Sequence, residues 1–497
     1  MIIAHDLGTT GDKATLVDHD GRLVASVTAA YPVDFGPGGK AEQDPEDWWA
    51  AVCRSTRQLL EQTGTPAGDV DVVTFSGQMM GAVLVDDANR SLRPAVIWAD
   101  TRATAQAEEL VRRVGLERGY AITGHRLNAT YTLPKIAWLR QHEPEVFARA
   151  AAVLLPKDHL VARLTGVRVT DPSDASGTNA YDQGAGTWSA ELLEAAGVPA
   201  SLLPEIVPST TVVGTVTPDA ARATGLAAGT PVVIGGGDGP MAALGAGIVD
   251  ADSGAYAYLG SSSWVSVASA APVLDPQMRS MTFNHVVPGA FVPTATMQAG
   301  GASLQWVTDV LAPGQADRYE RLLEAAEVEA ATDGLFFLPH LLGERSPYWN
   351  PRARAAFVGL QVHHGRGHLV RSVLEGVAFT LLSGLRAFTD AGVPVTGVDA
   401  IGGAAHAELL LRVFADVWGV PVSSRDLVDE ATSVGAAVVG GVGVGVFADF
   451  EVARTMSRRT SRREPDPERS ARYAQAHPLF TDAYRRLEPW FEQVAQR

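Results

Sequence analysis

A chain of 497 residues has room for two large domains or three small ones, each able to bury a full core. With 46% apolar and 19% charged residues it reads as globular rather than disordered. The formal net charge of −16 makes nucleic acid and an anionic membrane poor partners, so a bound nucleotide would need local help from lysine, backbone N–H groups and Mg²⁺. A single cysteine, Cys53, cannot form an internal disulfide; it reads as a small core residue in a reducing, cytoplasmic protein. The chain opens on a strand with no signal-peptide pattern before it. The uncharged run 433–448 is too short and glycine-rich to span a bilayer comfortably and reads as a closely packed buried helix.

Residues 2–5 and 14–17 are β-prone and apolar, and between them Gly8 and Gly11 bracket Thr9 and Thr10 in a tight turn. Such a turn can aim backbone N–H groups and two hydroxyls at a phosphate, with Lys13 supplying charge and Asp6 placed to hold a hydrated Mg²⁺. An ordinary hairpin has the same composition. After a third strand, Asp44 caps a helix, Pro45 fits its first turn, and Glu46 and Asp47 suit the positive end of the dipole. Trp49, Val52, Thr56, Leu59 and Leu60 share one face, and Gly64 ends the helix. Residues 70–75 then form a buried strand. Three meandering strands, a helix and a fourth strand give a βββαβ unit, the order of an actin-like, ribonuclease H-like domain.

Two loops with chemistry in them follow. SGQMMG, residues 76–81, lies just past the carboxyl end of the fourth strand, where open α/β sheets place ligand contacts. Gln78 is its natural hydrogen-bonder, while Met79 and Met80 line a pocket or fill core. In IWADTRA, Trp98 offers a flat apolar face, Asp100 an acceptor and Arg102 a donor, a set suited to a polyol. Residues 101–230 read as a mostly helical insertion, with PKDHLVARLTG an amphipathic helix and TDPSDASGTNAYD a polar loop. PVVIGGGDGPMAALGAG gives a strand, a glycine turn centred on Asp238, and a helix of small residues. A carboxylate fixed at a strand end in such a turn is a candidate general base. Gly237, Gly239 and Ala242 also satisfy a loose dinucleotide fingerprint, but no βαβ unit continues to an acidic residue for the ribose. No P-loop sequence occurs.

Midway, AYAYLGSSSWVSVAS repeats the opening pattern, with Leu259, Gly260, Ser261 and Ser262 in the places of Leu7, Gly8, Thr9 and Thr10. VDVVTFSGQ at Val70 is matched by VDAIGGAAH at Val398, each after a helix. Two similar halves, 1–247 and 248–497, each with a phosphate-type hairpin near its start, predict two actin-like βββαβ α/β domains with a nucleotide cleft between them. In the second half MQAGGASLQW is a glycine turn entering a helix, and FFLPHLLGERSPYWNPRARAAFVGL is a long polar excursion. His363, His364 and His368 invite a metal reading, but no cysteine or acidic ligand accompanies them at the usual spacing. A helix over about 369–388 precedes Gly402, Gly403 and Ala404, which would let an adenine ring lie against backbone.

HDLGTTGDKA, EQDPEDWW, SGQMMG, WADTRA, PKDHLVARLTG, DPSDASGT, GGGDG, GERSPYWNPRARAAFVGL and IGGAAH together resemble, in order, the FGGY carbohydrate kinases, among them xylulokinases most closely. The resemblance implies transfer of the γ-phosphate of ATP to a hydroxyl of a small open-chain sugar or polyol. It makes Asp238 the general base, Asp6 with Asp238 the Mg²⁺ side, Thr9, Thr10 and Lys13 the first phosphate loop, and Gly260, Ser261 and Ser262 the second. Gly301, Gln305, Gly402, Gly403 and Ala404 match nucleotide-binding segments. Gln78, Met79, Met80, Trp98, Asp100 and Asp238 are then the sugar-side residues, and a homodimer is a candidate assembly. The chain departs from the pattern in three places. Met80 stands where xylulokinases usually carry histidine, Asp12 puts a negative charge beside the phosphate turn, and Ser261 replaces a common threonine. The GERSPYWNP segment also looks like gluconate kinases. Competing readings are a gluconate or other polyol kinase, a non-catalytic actin-like ATPase module, and a nicotinamide-linked dehydrogenase.

Overall fold

The computed structural model describes residues 1–315, 317–328, 334–427 and 430–495. The opening hairpin forms as β1 (Ile2–Leu7) and β2 (Gly11–Val17), followed by β3 (Leu23–Ala30). Helix α1 (Pro45–Thr63) starts where Asp44 accepts a hydrogen bond from the Glu46 amide and stops at Gly64, whose φ of 65° few other residues adopt at low cost. Its buried face carries Trp48, Ala51, Val52, Ser55, Thr56, Leu59 and Leu60. Trp49 falls one step off that face and stacks instead under Arg163, 4.9 Å from the ring centre. Cys53 is half-buried beside this face rather than within the core.

Strand β4 (Val72–Gly77) runs parallel to β1 with Asp6 opposite Ser76 and Leu7 opposite Gly77. Helix α2 (Pro156–Thr165), strands β5 (Val212–Thr215), β6 (Pro231–Val233) and β7 (Gly236–Gly237), and helix α3 (Asp238–Gly245) complete the first half. The sheet order is β5–β6–β4–β1–β2–β3, with β7 continuing alongside β4. The mostly helical insertion is therefore shorter than residues 101–230, because α2 and β5 belong to the sheet and its covering layer. Nor is α2 amphipathic: Lys157, Asp158 and His159 are as buried as Leu160 and Val161. Its charges are solvated by protein, with Lys157 Nζ lying 2.5 Å from Asp158, 3.0 Å from Asp171 and 3.4 Å from Asp174. The segment around Asp171, expected as a polar loop, contains a buried one-turn helix, Pro172–Ala175.

The second half repeats the plan with β8 (Ala255–Leu259), β9 (Ser263–Val267), β10 (Met281–Asn284), β11 (Phe291–Met297), helix α4 (Gly301–Leu311), helix α5 (Arg366–Asp390), β12 (Val398–Ile401), helix α6 (Glu408–Trp418), β13 (Val422–Arg425), helix α7 (Ala431–Gly443), β14 (Arg459–Arg463) and helix α8 (Pro467–Ala495). Its sheet order is β10–β11–β9–β8–β12–β13–β14. Each sheet thus has an antiparallel meander, two parallel strands and an antiparallel edge strand. Helix α5 is the one described helix long and apolar enough to cross a membrane, and 89% of its apolar window is buried in the protein.

The halves meet at α3 and α7. A Cβ on Gly245 would lie 1.8 Å from the Ala431 carbonyl oxygen, and one on Gly435 would lie 2.1 Å from that of Met241, so the helices cross backbone to backbone. Helix α7 continues onto the first sheet, where Gly440 faces Thr74 and Gly441 faces Ile2. A division at residue 247 separates the two sheets but leaves this helix packed on the other half.

Candidate active site

The parallel registers bring the chemistry together. Gly236 sits opposite Ser76 and Gly237 opposite Gly77, while Asp6 sits opposite Ser76 on the other side, so Asp6 and Asp238 emerge at the same carboxyl edge. In the second sheet Tyr258 is opposite Ile401, which places the Gly260 turn beside Gly402. Between these two edges lies a cleft of about 810 Å³. Of the predicted site residues, Asp6, Thr9, Lys13, Met79, Met80, Trp98, Asp238, Ser262 and Gly402 line it.

The first turn is braced from behind. Gly8 N–H donates to the Gly11 carbonyl at 3.0 Å, and the Tyr31 hydroxyl donates to the carbonyls of Gly8 and Gly11. Gln78 donates to the Gly8 carbonyl at 3.3 Å and to Gln43, which in turn donates to the Thr9 carbonyl at 2.7 Å. Gln78 is therefore a prop for the turn and does not line the cleft. Trp98 Nε1 donates to Thr9 Oγ1 at 2.9 Å, tying the cleft's aromatic wall to the turn, whereas Thr10 is exposed outside the lining. The charge of Asp12 does not face the phosphate turn. Alternation along β2 sends Lys13 to the cleft and Asp12 into the layer under α1, where His5 Nδ1 at 3.0 Å and Ser55 Oγ at 2.6 Å hold its carboxylate.

Gly260 and Ser261 form the second turn and accept through their carbonyls from Gly301 N–H at 2.8 Å and Ala302 N–H at 3.1 Å. Gly300 and Gly301 permit that approach, since a Cβ on either would strike Ser263 Oγ at 2.0 Å or the Gly260 oxygen at 2.6 Å. Gly260, Ser261 and Gly301 are thus supports, and Ser262 is the residue of this turn that lines the cleft. Gln305 is exposed and spends its amide on Asp309, both contacts at 3.0 Å. Gly402, with φ +87°, reaches the cleft; Gly403 and Ala404 pass into the short helix behind it. Asp100 is buried away from the lining, its carboxylate accepting from Ala41 N–H at 2.8 Å and from Arg102. His364 and His368 accept backbone N–H bonds at the start of α5, and the described residues contain no group of three or more metal-ligating side chains.

Burial first, and then the nearby charge of Asp6, raise the Asp238 carboxyl to about 7. One of its oxygens accepts from the Gly239 amide at 2.8 Å. Burial likewise raises Asp6, opposed by the hydrogen bond that Thr432 Oγ1 donates to it at 2.5 Å. Two carboxylates at one mouth, without a full protein cage, suit Mg²⁺, which keeps several waters and takes its remaining ligands from substrate phosphates.

The wall beyond Asp238 is aromatic and sulfur-rich. Met79 packs under Gly237, where a Cβ would lie 2.6 Å from its sulfur. Met80 holds φ +64°, its carbonyl accepting from Lys135 Nζ at 2.8 Å. Both methionines are buried and both line the cleft, so the pocket and core readings hold together. Phe283, Arg345 and the stacked pair Tyr258 and Trp264, 4.0 Å between centroids, also line the cleft, beyond the residues that the sequence motifs single out. The two aromatics flank the second turn, at Tyr258 before Leu259 and Trp264 after Ser263, and their spacing around a phosphate-type hairpin was the available signal. Arg345 lay in plain view in GERSPYWNP, without a role.

The sequence profile of the FGGY family of carbohydrate kinases, N-terminal domain, matches residues 1–245, and that of its C-terminal domain matches residues 255–444. The chain is 33% identical to xylulose kinase of Escherichia coli (strain K12), covering 98% of this chain and 99% of that one. A solved xylulose kinase from Rhodospirillum rubrum superposes with a TM-score of 0.91 at 32% identity, over 99% of both chains. A solved gluconate kinase from Lactobacillus acidophilus superposes with a TM-score of 0.93 at 25% identity, again over 99% of both.

Proposed function

The chain belongs to the FGGY family of carbohydrate kinases, and we propose that it is a xylulokinase-like member acting on a small sugar or polyol in the cytoplasm. The observation that carries the reading is Asp238, a carboxyl raised to about 7 that faces the same cleft as both phosphate-type turns. A base with its pKa near the working pH is both ionised and basic enough to take a hydroxyl proton. In the reaction the bond from γ-phosphorus to the bridging oxygen breaks, a bond to the sugar oxygen forms, and the hydroxyl proton passes to an Asp238 oxygen. Thr9, Lys13 and Ser262 are assigned to the phosphates, Gly402, Gly403 and Ala404 to the nucleoside, and Met79, Met80 and Trp98 to the sugar. Little covalent work is asked of the protein, since phosphoryl transfer is driven by positioning and charge stabilisation. Mg²⁺ would be held by Asp6 and Asp238 and would neutralise phosphate charge when bound.

ADP release measured with ATP and a panel of ketoses, polyols and sugar acids tests this. Strong stimulation by one compound is expected. Steady ATP hydrolysis that no acceptor stimulates would favour the non-catalytic ATPase module instead. A gluconate or other polyol kinase is the second reading, supported by the likeness to the Lactobacillus enzyme and by Met80 in the sugar wall.

A further inference from the structure

Arg345 is a cation in the cleft wall that feels the charge of Glu344 without pairing to it. Its guanidinium lies 5.7 Å from the centre of the Trp98 ring, at the outer reach of a cation–π contact. Among the described residues it forms no ion pair and its side chain makes no hydrogen bond. The carboxylate next to it in sequence, Glu344, is already engaged: one oxygen accepts from the Gln298 and Arg345 amides at 3.0 and 2.9 Å, and the other meets His340 Nδ1 at 2.9 Å. Tyr131, its other polar neighbour, is a neutral phenol whose ionisation burial opposes. Lys135, a second buried amine, is spent on the carbonyls of Met80 and Thr130. Burial lowers the Arg345 pKa, but arginine does not deprotonate in proteins, so the site keeps a fixed positive charge. A partly buried guanidinium with a planar fork of donors and no protein acceptor among the described residues is costly unless a ligand completes it, and that fork matches carboxylate and phosphate.

We propose that Arg345 binds an oxyanion at the sugar end of the cleft, on or arriving at the acceptor. The inference rests on the kinase reading. Two sources share the chemistry: the carboxylate of an acidic sugar, or the phosphoryl group as it leaves ATP and reaches the acceptor hydroxyl. In the second case the three equatorial oxygens gain a donor fork while the bonding balance stays as written above.

Arg345→Gln and Arg345→Lys separate the outcomes, with thermal unfolding and binding of a non-hydrolysable ATP analogue confirming that each variant is folded. Titration calorimetry with D-gluconate and, separately, inorganic phosphate is run alongside the turnover panel. A sugar-acid site is supported if gluconate binds the parent protein and R345Q weakens it at least tenfold, with the turnover loss in the KM for that acid. A phosphoryl site is supported if R345Q lowers kcat at least tenfold on a neutral acceptor with KM for sugar and ATP within twofold, or if phosphate binding is lost. R345K, which keeps the charge and loses the fork, should fall between, and it decides the matter if R345Q does not fold. Turnover and anion binding within twofold of the parent in both variants would overturn the proposal. Absence of acceptor-stimulated turnover in the parent would instead remove the kinase reading, and the anion titrations would still decide whether Arg345 holds an oxyanion.

Discussion

At Asp238, function and stability pull in opposite directions. A carboxyl whose folded pKa is about 7 against an ordinary 3.8 binds its proton more tightly in the folded state, so folding loses stability as pH rises from about 4 to 7. Above pH 7 the full difference is felt, on the order of 4 kcal/mol at 1.36 kcal/mol per unit. Asp238→Asn should therefore lower kcat by about 10² to 10⁴ with ATP binding kept, and should also raise the melting temperature more at pH 8 than at pH 5. A melting gain equal at both pH values would sink the burial argument, and a near-normal kcat would remove Asp238 from the chemistry. The parent's kcat should fall on the acid side as pH drops through about 7, because the base is then protonated. Met80, proposed for the sugar wall, makes a prediction about choice of substrate. A thioether cannot donate, and a lost donor to a substrate hydroxyl or carbonyl costs roughly 1 to 3 kcal/mol of discrimination. D-xylulose is then expected to be a poor substrate beside a polyol or deoxy sugar, and Met80→His to improve it. If the unaltered protein already prefers D-xylulose, or the histidine variant gains nothing while folding normally, Met80 does not set specificity.

Among the elements, the two hairpins, α1 and the strand that leads into Asp238 were legible because their signals are local: turn glycines, a capping aspartate, a proline at the first helical position. What the residues could not announce was which charges are inward. Lys157 and Asp158 give α2 the look of a half-exposed helix, yet both are buried, with Lys157 paired to Asp158 and to Asp171 and Asp174 from a segment that reads as a loop. That cluster has a use, since Ser173, bonded to Asp171, accepts from the Gly237 amide at 3.0 Å just before the base. Asp12 misleads for the opposite reason, because Lys13 beside it faces the cleft while the pleat turns Asp12 to His5 and Ser55. Gln78 and Asp100, polar groups in the right loops, support the site from behind because backbone groups claimed them first. The glycines of α3 and α7 make their own prediction. A Cβ on Gly435, 2.1 Å from the Met241 oxygen, cannot be absorbed by a flexible side chain, so Gly435→Ala should force the helices apart. Overpacking of this kind costs about 1 to 3 kcal/mol. Chemical denaturation should report a lower midpoint, and an unchanged midpoint would mean that the helices are free to shift.

For the molecule as a whole, the decisive fact is that its phosphate-type turns belong to different sheets, with Asp238, the proposed base, at the edge of the first. One nucleotide can satisfy both turns only if the lobes hold a particular distance, so substrate should favour the arrangement in which both turns engage it. The α3–α7 crossing is the natural pivot, because there the backbones touch and the helices pack across the boundary, while the first residues of both helices line the cleft. The hydrogen bond from Thr432 at the start of α7 to Asp6 spans the same boundary and keeps the metal-side carboxylate registered to the pivot. A ligand can shift the lobes only by the difference in its affinity for the two arrangements, and the pairing of sugar with nucleotide should therefore do more than either alone. Small-angle scattering of the protein with a non-hydrolysable ATP analogue and the best acceptor from the turnover panel is expected to give a smaller radius of gyration than the free protein or either binary mixture. If the ternary profile matches that of the free protein, a distance between single labels on Thr10 and Ser261 decides between a protein that is already shut and one whose lobes do not move. A separation unchanged by ligand and too wide for one triphosphate would defeat the two-turn reading itself.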